Sequence, residues 1–268
     1  MLIAEIHGKR FPEAEGQEDW LTSAVFGNLR LIPPALFWPS LFERALTVET
    51  PGISLASELS RIGLELNAYT DLETVFWKDC LKFGQPDLLL RFTGDAVKPL
   101  IVLIEVKLNS TKSGVGDKDQ LAKYLALLDD GSTLPNWKCA EEHRYLIYLT
   151  QTFAKLELEA SVLASGRPDA ARRMFGLEWR DVLEVSASEA NGGFLLSEVA
   201  DFLKGRGFEA FGGMRQPALP SITLAGGFYG SDYFKHDDDF IRSQQGLRGM
   251  FYGGRLREAD GESHPCCA

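Results

Sequence analysis

Asp87, Glu105 and Lys107 place two acids and an ammonium around one apolar run near the middle of the chain. The run lies in "PLIVLIEVKLN" (99–109), where Leu100 to Ile104 read as a strand buried on both faces. Side chains alternate across a strand, so Glu105 and Lys107 share a face and Val106 points away. Asp87 opens a second strand, "PDLLLRF" (86–92), and the short polar link "TGDAVKP" (93–99) makes the two an antiparallel hairpin. The start of one strand then lies beside the end of the next, which brings Asp87 close to Glu105. Two carboxylates at one sheet end can share a hard cation such as Mg2+, with the Val106 carbonyl as a third oxygen. The cation offsets their repulsion, which otherwise raises one pKa. Lys107 is placed to orient or deprotonate an attacking water and to stabilise developing negative charge. An E-x-K triplet alone is common, and lysines and acids at strand ends are mostly solvated. The weight comes from its combination with "PD" at a strand start and a following helix that carries Gln120 and Tyr124.

Other elements must hold these residues in place. "QEDWLTSAVFGNLRLI" (17–32) repeats apolar residues at helical spacing and stops at "IPP". "PSLFERAL" (39–46) reads as a second helix, while 50–75 is ambiguous between helix and strand. "TVFWKD" (74–79) reads as a strand. The polar loop "NSTKSGVGDK" (109–118) leads into the helix "DQLAKYLALLDDG" (119–131), which Gly131 closes. "RYLIYLT" (144–150) is a further strand, and 152–165, 170–175 and the amphipathic 195–208 read as helices. Segment 177–185 carries Trp179. After about Gly212 the periodic pattern weakens, so a main domain over 1–212 and an Arg/Gly-rich, partly irregular extension over 213–268 are expected.

Composition narrows the classes. At 268 residues, with 45% hydrophobic and 25% charged residues, the chain fits a globular protein with a sizeable core. No apolar run approaches a bilayer span, and the start lacks a signal peptide's basic-then-apolar order, so no membrane partner and a cytoplasmic location are expected. The four cysteines show no CxxC pair, and no His lies at zinc-finger spacing. Neither a phosphate-binding loop nor a G-x-S-x-G elbow occurs. The net charge of −10 argues against a general basic surface for nucleic acid but leaves room for local patches. One is 241–257, with four arginines, no acid and the pair Phe251 and Tyr252. It suits phosphates and unstacked bases, and equally suits a solvated tail.

The order "PDLLLRF…IVLIEVK…DQLAKY" resembles the PD-(D/E)XK nuclease superfamily in its Q-x-x-x-Y variant. The resemblance extends upstream to "EDWLTSAVFGNLRLIP" and "FWKD…GQPD", and downstream through "LIYLT", "LEWRDV" and "LLSEVADFLKGRGFEAFGG", covering roughly residues 17–213. It is to a bacterial group whose substrates are mostly unassigned and which is often associated with defence against foreign DNA. The fold it implies is α/β, a restriction-endonuclease-like mixed central β-sheet flanked by helices. The chemistry it implies is phosphodiester hydrolysis dependent on Mg2+ or Mn2+.

The resemblance matches Asp87 and Glu105 to the metal-binding acids and Lys107 to the catalytic lysine. Gln120 and Tyr124, four apart and so on one helix face, match the pair that supports the site or touches phosphate. Tyr124 also reads simply as a core aromatic. The family often adds an acid from the first helix, here Glu18, which also reads as a helix-start acid beside Asp19 favoured by the dipole. Nucleic-acid contacts are expected from Lys112 and Lys118 in the loop and from tail arginines that include Arg248 and Arg255. A deoxyribonuclease is the first reading. A ribonuclease and a catalytically silent module that binds nucleic acid, a protein partner or another copy of the chain are the alternatives.

Overall fold

The computed structural model describes residues 18–108, 110–130, 137, 143–188 and 193–208. The expected boundary at 212/213, the extension beyond it, Arg248 and Arg255 lie outside the described residues. The fold is mixed α/β: a five-stranded sheet with helices on both faces. Its strands are β1 (Asp71–Phe76), β2 (Leu88–Thr93), β3 (Leu100–Val106), β4 (Arg144–Thr150) and β5 (Met174–Glu178), ordered as they occur in the chain. The β1–β2 and β2–β3 pairs are antiparallel, and β3–β4 and β4–β5 are parallel.

The helices are α1 (Glu18–Leu29), α2 (Trp38–Arg44), α3 (Leu55–Arg61), α4 (Gln120–Asp129), α5 (Lys155–Ser165), α6 (Ala170–Arg173), α7 (Trp179–Ser188) and α8 (Gly193–Gly205). The strands' alternation sorts them into two layers. Leu88, Leu90, Val102, Ile104, Val106 and Ile147 face α1, α2, α3, α7 and α8. Leu89, Ile101, Leu103, Leu146 and Tyr148 face α4 and α5. Because α4 carries the crossover between the parallel strands β3 and β4, its first turn stands beside the C-terminal end of β3. Asp119 caps that turn, its Oδ1 accepting the Ala122 N–H at 3.0 Å. Leu121, Leu125 and Leu128 then lock the helix to the sheet. Among the described residues no helix is long and apolar enough to cross a membrane.

The α1 helix, the β2–β3 hairpin, α4 and β4 follow the sequence reading. Two elements depart from it, and one ambiguous region resolves. β1 begins at Asp71, within the ambiguous region, and ends before Trp77, whose φ of 43° breaks the ladder. The segment 170–175 is not one helix: a single turn, Ala170–Arg173, gives way to β5. Buried on both faces over its first four residues, this short edge strand lacks the alternation that marks a half-buried one. Gly176 disguises it further, since a Cβ there would lie 2.3 Å from the Phe153 ring. The region 50–70 resolves into α3 and a 3-10 turn over Leu66–Ala68.

Candidate metal and phosphate site

The hairpin register pairs Leu88 with Ile104, so one step further Asp87 lies across from Glu105. Leu89 and Leu103 mark the shared face. β2 begins only at Leu88, leaving the Val106 N–H without a strand partner, and Asp87 Oδ2 accepts it at 2.8 Å. Asp87 Oδ1 accepts the Trp77 indole N–H at 3.2 Å, and the Asp87 carbonyl accepts the Trp77 amide. Gln85 holds the Trp77 carbonyl at 2.8 Å. The positive φ that ends β1 thus turns the indole onto the acid.

Glu105 is 2% exposed. Its Oε1 accepts Lys107 Nζ and Gln120 Nε2, each at 2.7 Å. Its Oε2 is buried without a hydrogen-bond donor among the described residues. A buried carboxylate oxygen left in this state is costly unless something cationic or a proton meets it. The Asp87 and Glu105 carboxyls are within hydrogen-bonding reach of one another when one is protonated. Burial, and after it the Asp87 charge, push Glu105 up to about 8. Burial also raises Asp87, against the opposing pull of the Val106 amide and Lys107. At neutral pH the pair holds a proton between two acids.

Lys107 Nζ donates to Glu105, to the Val106 carbonyl at 2.9 Å and to Glu18 Oε1 at 3.5 Å. Burial alone would lower its pKa, but Glu105 overrides that and the net shift is upward. Lys107 is therefore an ammonium here, a donor and a charge rather than a base. Gln120 connects the site to its scaffold, because its Oε1 accepts the Ser113 N–H at 3.0 Å and its Nε2 also meets the Tyr124 hydroxyl at 3.2 Å. Burial, then the Glu105 charge, raise the Tyr124 phenol, which stays neutral.

Glu18 comes to the site through Lys107 rather than onto the paired acids. Its Oε2 accepts the Leu108 N–H and the Ser110 hydroxyl, each at 2.8 Å, which clamps the end of β3 to α1. In this arrangement it is a clamp, not a ligand beside Asp87 and Glu105. Lys112 also departs from expectation. Its side chain is only 6% exposed and ion-paired to Asp119, so it pins the loop to α4 instead of facing a phosphate. Lys118 is exposed at the end of the loop's 3-10 turn. Trp77, Ser110 and Ser113 went unread in the sequence. Only the proximity of "FWKD" to "GQPD" pointed toward Trp77.

Among the described residues no cluster of three or more His, Cys, Asp or Glu side chains forms a metal-binding group. The donor set is instead two carboxylates and the Val106 carbonyl, all hard oxygens, with one carboxylate oxygen bare. That set fits Mg2+ or Mn2+ completed by water and substrate oxygens, and fits softer metals poorly. No protein-family model, curated protein or solved structure matches the chain. The site must be read from its own residues.

Proposed function

We propose that the chain is a divalent-metal-dependent nuclease of the PD-(D/E)XK type, hydrolysing phosphodiester bonds in DNA. In this reading it works in the cytoplasm, in defence against foreign DNA. One observation carries the reading: Glu105 stands across from Asp87 with one oxygen bare and the other held by Lys107 and Gln120. Asp87, Glu105 and the Val106 carbonyl would hold Mg2+ or Mn2+. When bound, the cation supplies Lewis-acid polarisation of a phosphate oxygen and lowers the pKa of a coordinated water.

The chain's own groups do the remaining work. Lys107 offers its ammonium to a non-bridging phosphate oxygen, where negative charge grows as water oxygen bonds to phosphorus. The same ammonium can pass a proton to the departing oxygen as the P–O bond breaks, and the neutral amine then takes up the proton that the attacking water gives up, which restores the ammonium. Gln120 and Lys107 hold Glu105 Oε1, which fixes the carboxylate's orientation and leaves Oε2 for the cation, and Tyr124 keeps Gln120 in place. Trp77 and the Val106 amide fix Asp87, so both acids are set before substrate arrives.

A second reading has its own observation. Lys107 is held by Glu105, Val106 and Glu18 together, which also suits an internal staple in a catalytically silent module. With a net charge of −10, such a module would suit a protein partner or another copy of the chain. The test incubates the full chain with plasmid, linear, branched and single-stranded DNA, and with RNA, in Mg2+ and in Mn2+. Cleavage lost in Asp87→Ala supports the nuclease, and its substrate separates deoxyribonuclease from ribonuclease. No cleavage, together with no divalent-cation binding by calorimetry, supports the silent module.

A further inference from the structure

The loop that delivers Asp87, residues 77–86, is built around one outward side chain. Its turn is closed by backbone bonds from Cys80 N–H to Gly84 O at 2.9 Å, from Phe83 N–H to Cys80 O at 3.1 Å and from Gly84 N–H to Leu81 O at 3.2 Å. Inward, Cys80 is buried and Phe83 packs on the cluster that contains Tyr124. Gly84 rests on Tyr124: a Cβ added there would lie 3.8 Å from the ring and from the hydroxyl. Outward, Leu81 is 84% exposed, with a φ of 54°. Asp79 Oδ1 accepts the Leu81 N–H at 3.0 Å and holds the tip in shape.

A branched apolar side chain left in water forgoes the gain of burial, and a left-handed backbone disfavours it as well. Both meet at one residue, and neither is offset among the described residues. The surroundings indicate what would offset them. Lys78 and Lys82 flank the tip without a carboxylate partner among the described residues, and Lys82 Nζ lies 4.8 Å from the Phe83 ring centre. Across the first turn of α4, the loop 110–118 repeats the pattern with Val115, 82% exposed, and the exposed Lys118. Both loops are tied to the site. Gly84 sits on Tyr124, which bonds Gln120; Ser113 bonds Gln120 directly; and Gln120 bonds Glu105.

We propose that Leu81 is a wedge that enters a nucleic-acid duplex and unstacks a base step beside the scissile phosphate, with Lys78 and Lys82 on the neighbouring phosphates. Apolar wedges between base steps flanked by cations are an established means of opening a duplex. Lysines around an apolar tip, on a chain of strongly negative net charge, match a polyanion better than an acidic or apolar protein. The substrate class that follows is duplex at weakly stacked steps: mismatches, ends and branch points. The inference rests on the nuclease reading and adds to it where the enzyme cuts.

The test uses full-length Glu105→Gln protein and a duplex with 2-aminopurine at one step, and anisotropy of a fluorescein-labelled copy follows binding. Saturating protein is expected to raise 2-aminopurine fluorescence, and adding Leu81→Ala to remove most of that rise, as loss of the wedge should. Leu81→Met should restore it. With Glu105 intact, Leu81→Ala should slow cleavage of a fully paired duplex more than cleavage of the same duplex with a mismatch. Equal fluorescence with and without Leu81, on duplex that Glu105→Gln binds and the unaltered chain cleaves, overturns the wedge and leaves the nuclease reading standing. Absence of nucleic-acid binding by Glu105→Gln and of cleavage by the unaltered chain overturns both.

Discussion

Asp87 stands across the open end of the β2–β3 hairpin from Glu105, fixed there by the Val106 amide and the Trp77 indole. Neither acid can turn away, because Lys107 and Gln120 hold Glu105 from the other side. The arrangement is costly without a cation, and the cost is measurable.

Glu105 is pushed from an ordinary 4.5 up to about 8. Between those values the folded chain keeps a proton that the unfolded chain has released. Stability is therefore fully present below about pH 4.5 and falls as pH rises toward 8. Glu105→Gln cannot ionise, so its melting temperature should exceed that of the unaltered chain above pH 8, with the gap closing toward pH 4.5. A calorimetric melting series in EDTA checks this. A gap that widens toward acid pH would contradict the sign.

A cation must displace that proton, so Mn2+ affinity should tighten by about tenfold per pH unit below about 8 and level off above it. Calorimetry in buffers of different ionisation enthalpy should show close to one proton released. Affinity independent of pH would mean that the cation binds elsewhere.

Asp87, Glu105 and Lys107 should act as a unit, each alanine change removing most cleavage and combinations adding little. Lys107→Ala should slow single-turnover cleavage about 100-fold or more while leaving Mn2+ affinity largely intact. Gln120→Ala touches no substrate in this account and should act through Glu105, weakening metal binding about 10–100-fold. Full turnover by Lys107→Ala under saturating metal would remove the lysine's assigned role.

Two stability effects separate the scaffold from the site. Lys112→Ala strands the buried Asp119 charge at the start of α4 and should cost about 3 kcal/mol in urea unfolding. Leu81→Gly should stabilise the chain by about 1 kcal/mol, since glycine adopts a φ of 54° without a Cβ penalty, while Leu81→Ile should destabilise it. A Leu81→Gly chain that melts lower would show that the tip carries no strain.

Much of the site was legible because β-strand alternation and hairpin geometry are strict. A "PD" start, a seven-residue link and "EVK" after an apolar run leave Asp87 and Glu105 little choice but to meet. Gln120 came from the resemblance, which pairs it with Tyr124, and the spacing of four only put both on one helix face. β5 was not legible: four buried residues around Gly176, from Met174 to Leu177, look like the end of a helix. Lys112 reads as a loop lysine by position, and only the fold reveals that Asp119 draws it inward. Trp77 reads as a strand residue until its positive φ turns the indole onto Asp87. Long-range pairings of this kind leave no local signal.

The most direct test of the central claim is single-turnover cleavage of one supercoiled plasmid in Mg2+, measured side by side for the unaltered chain and Glu105→Gln. The account predicts cleavage by the unaltered chain that EDTA abolishes, and none above background by Glu105→Gln despite its intact fold. Equal cleavage by the two proteins, or cleavage that persists in EDTA, would contradict it.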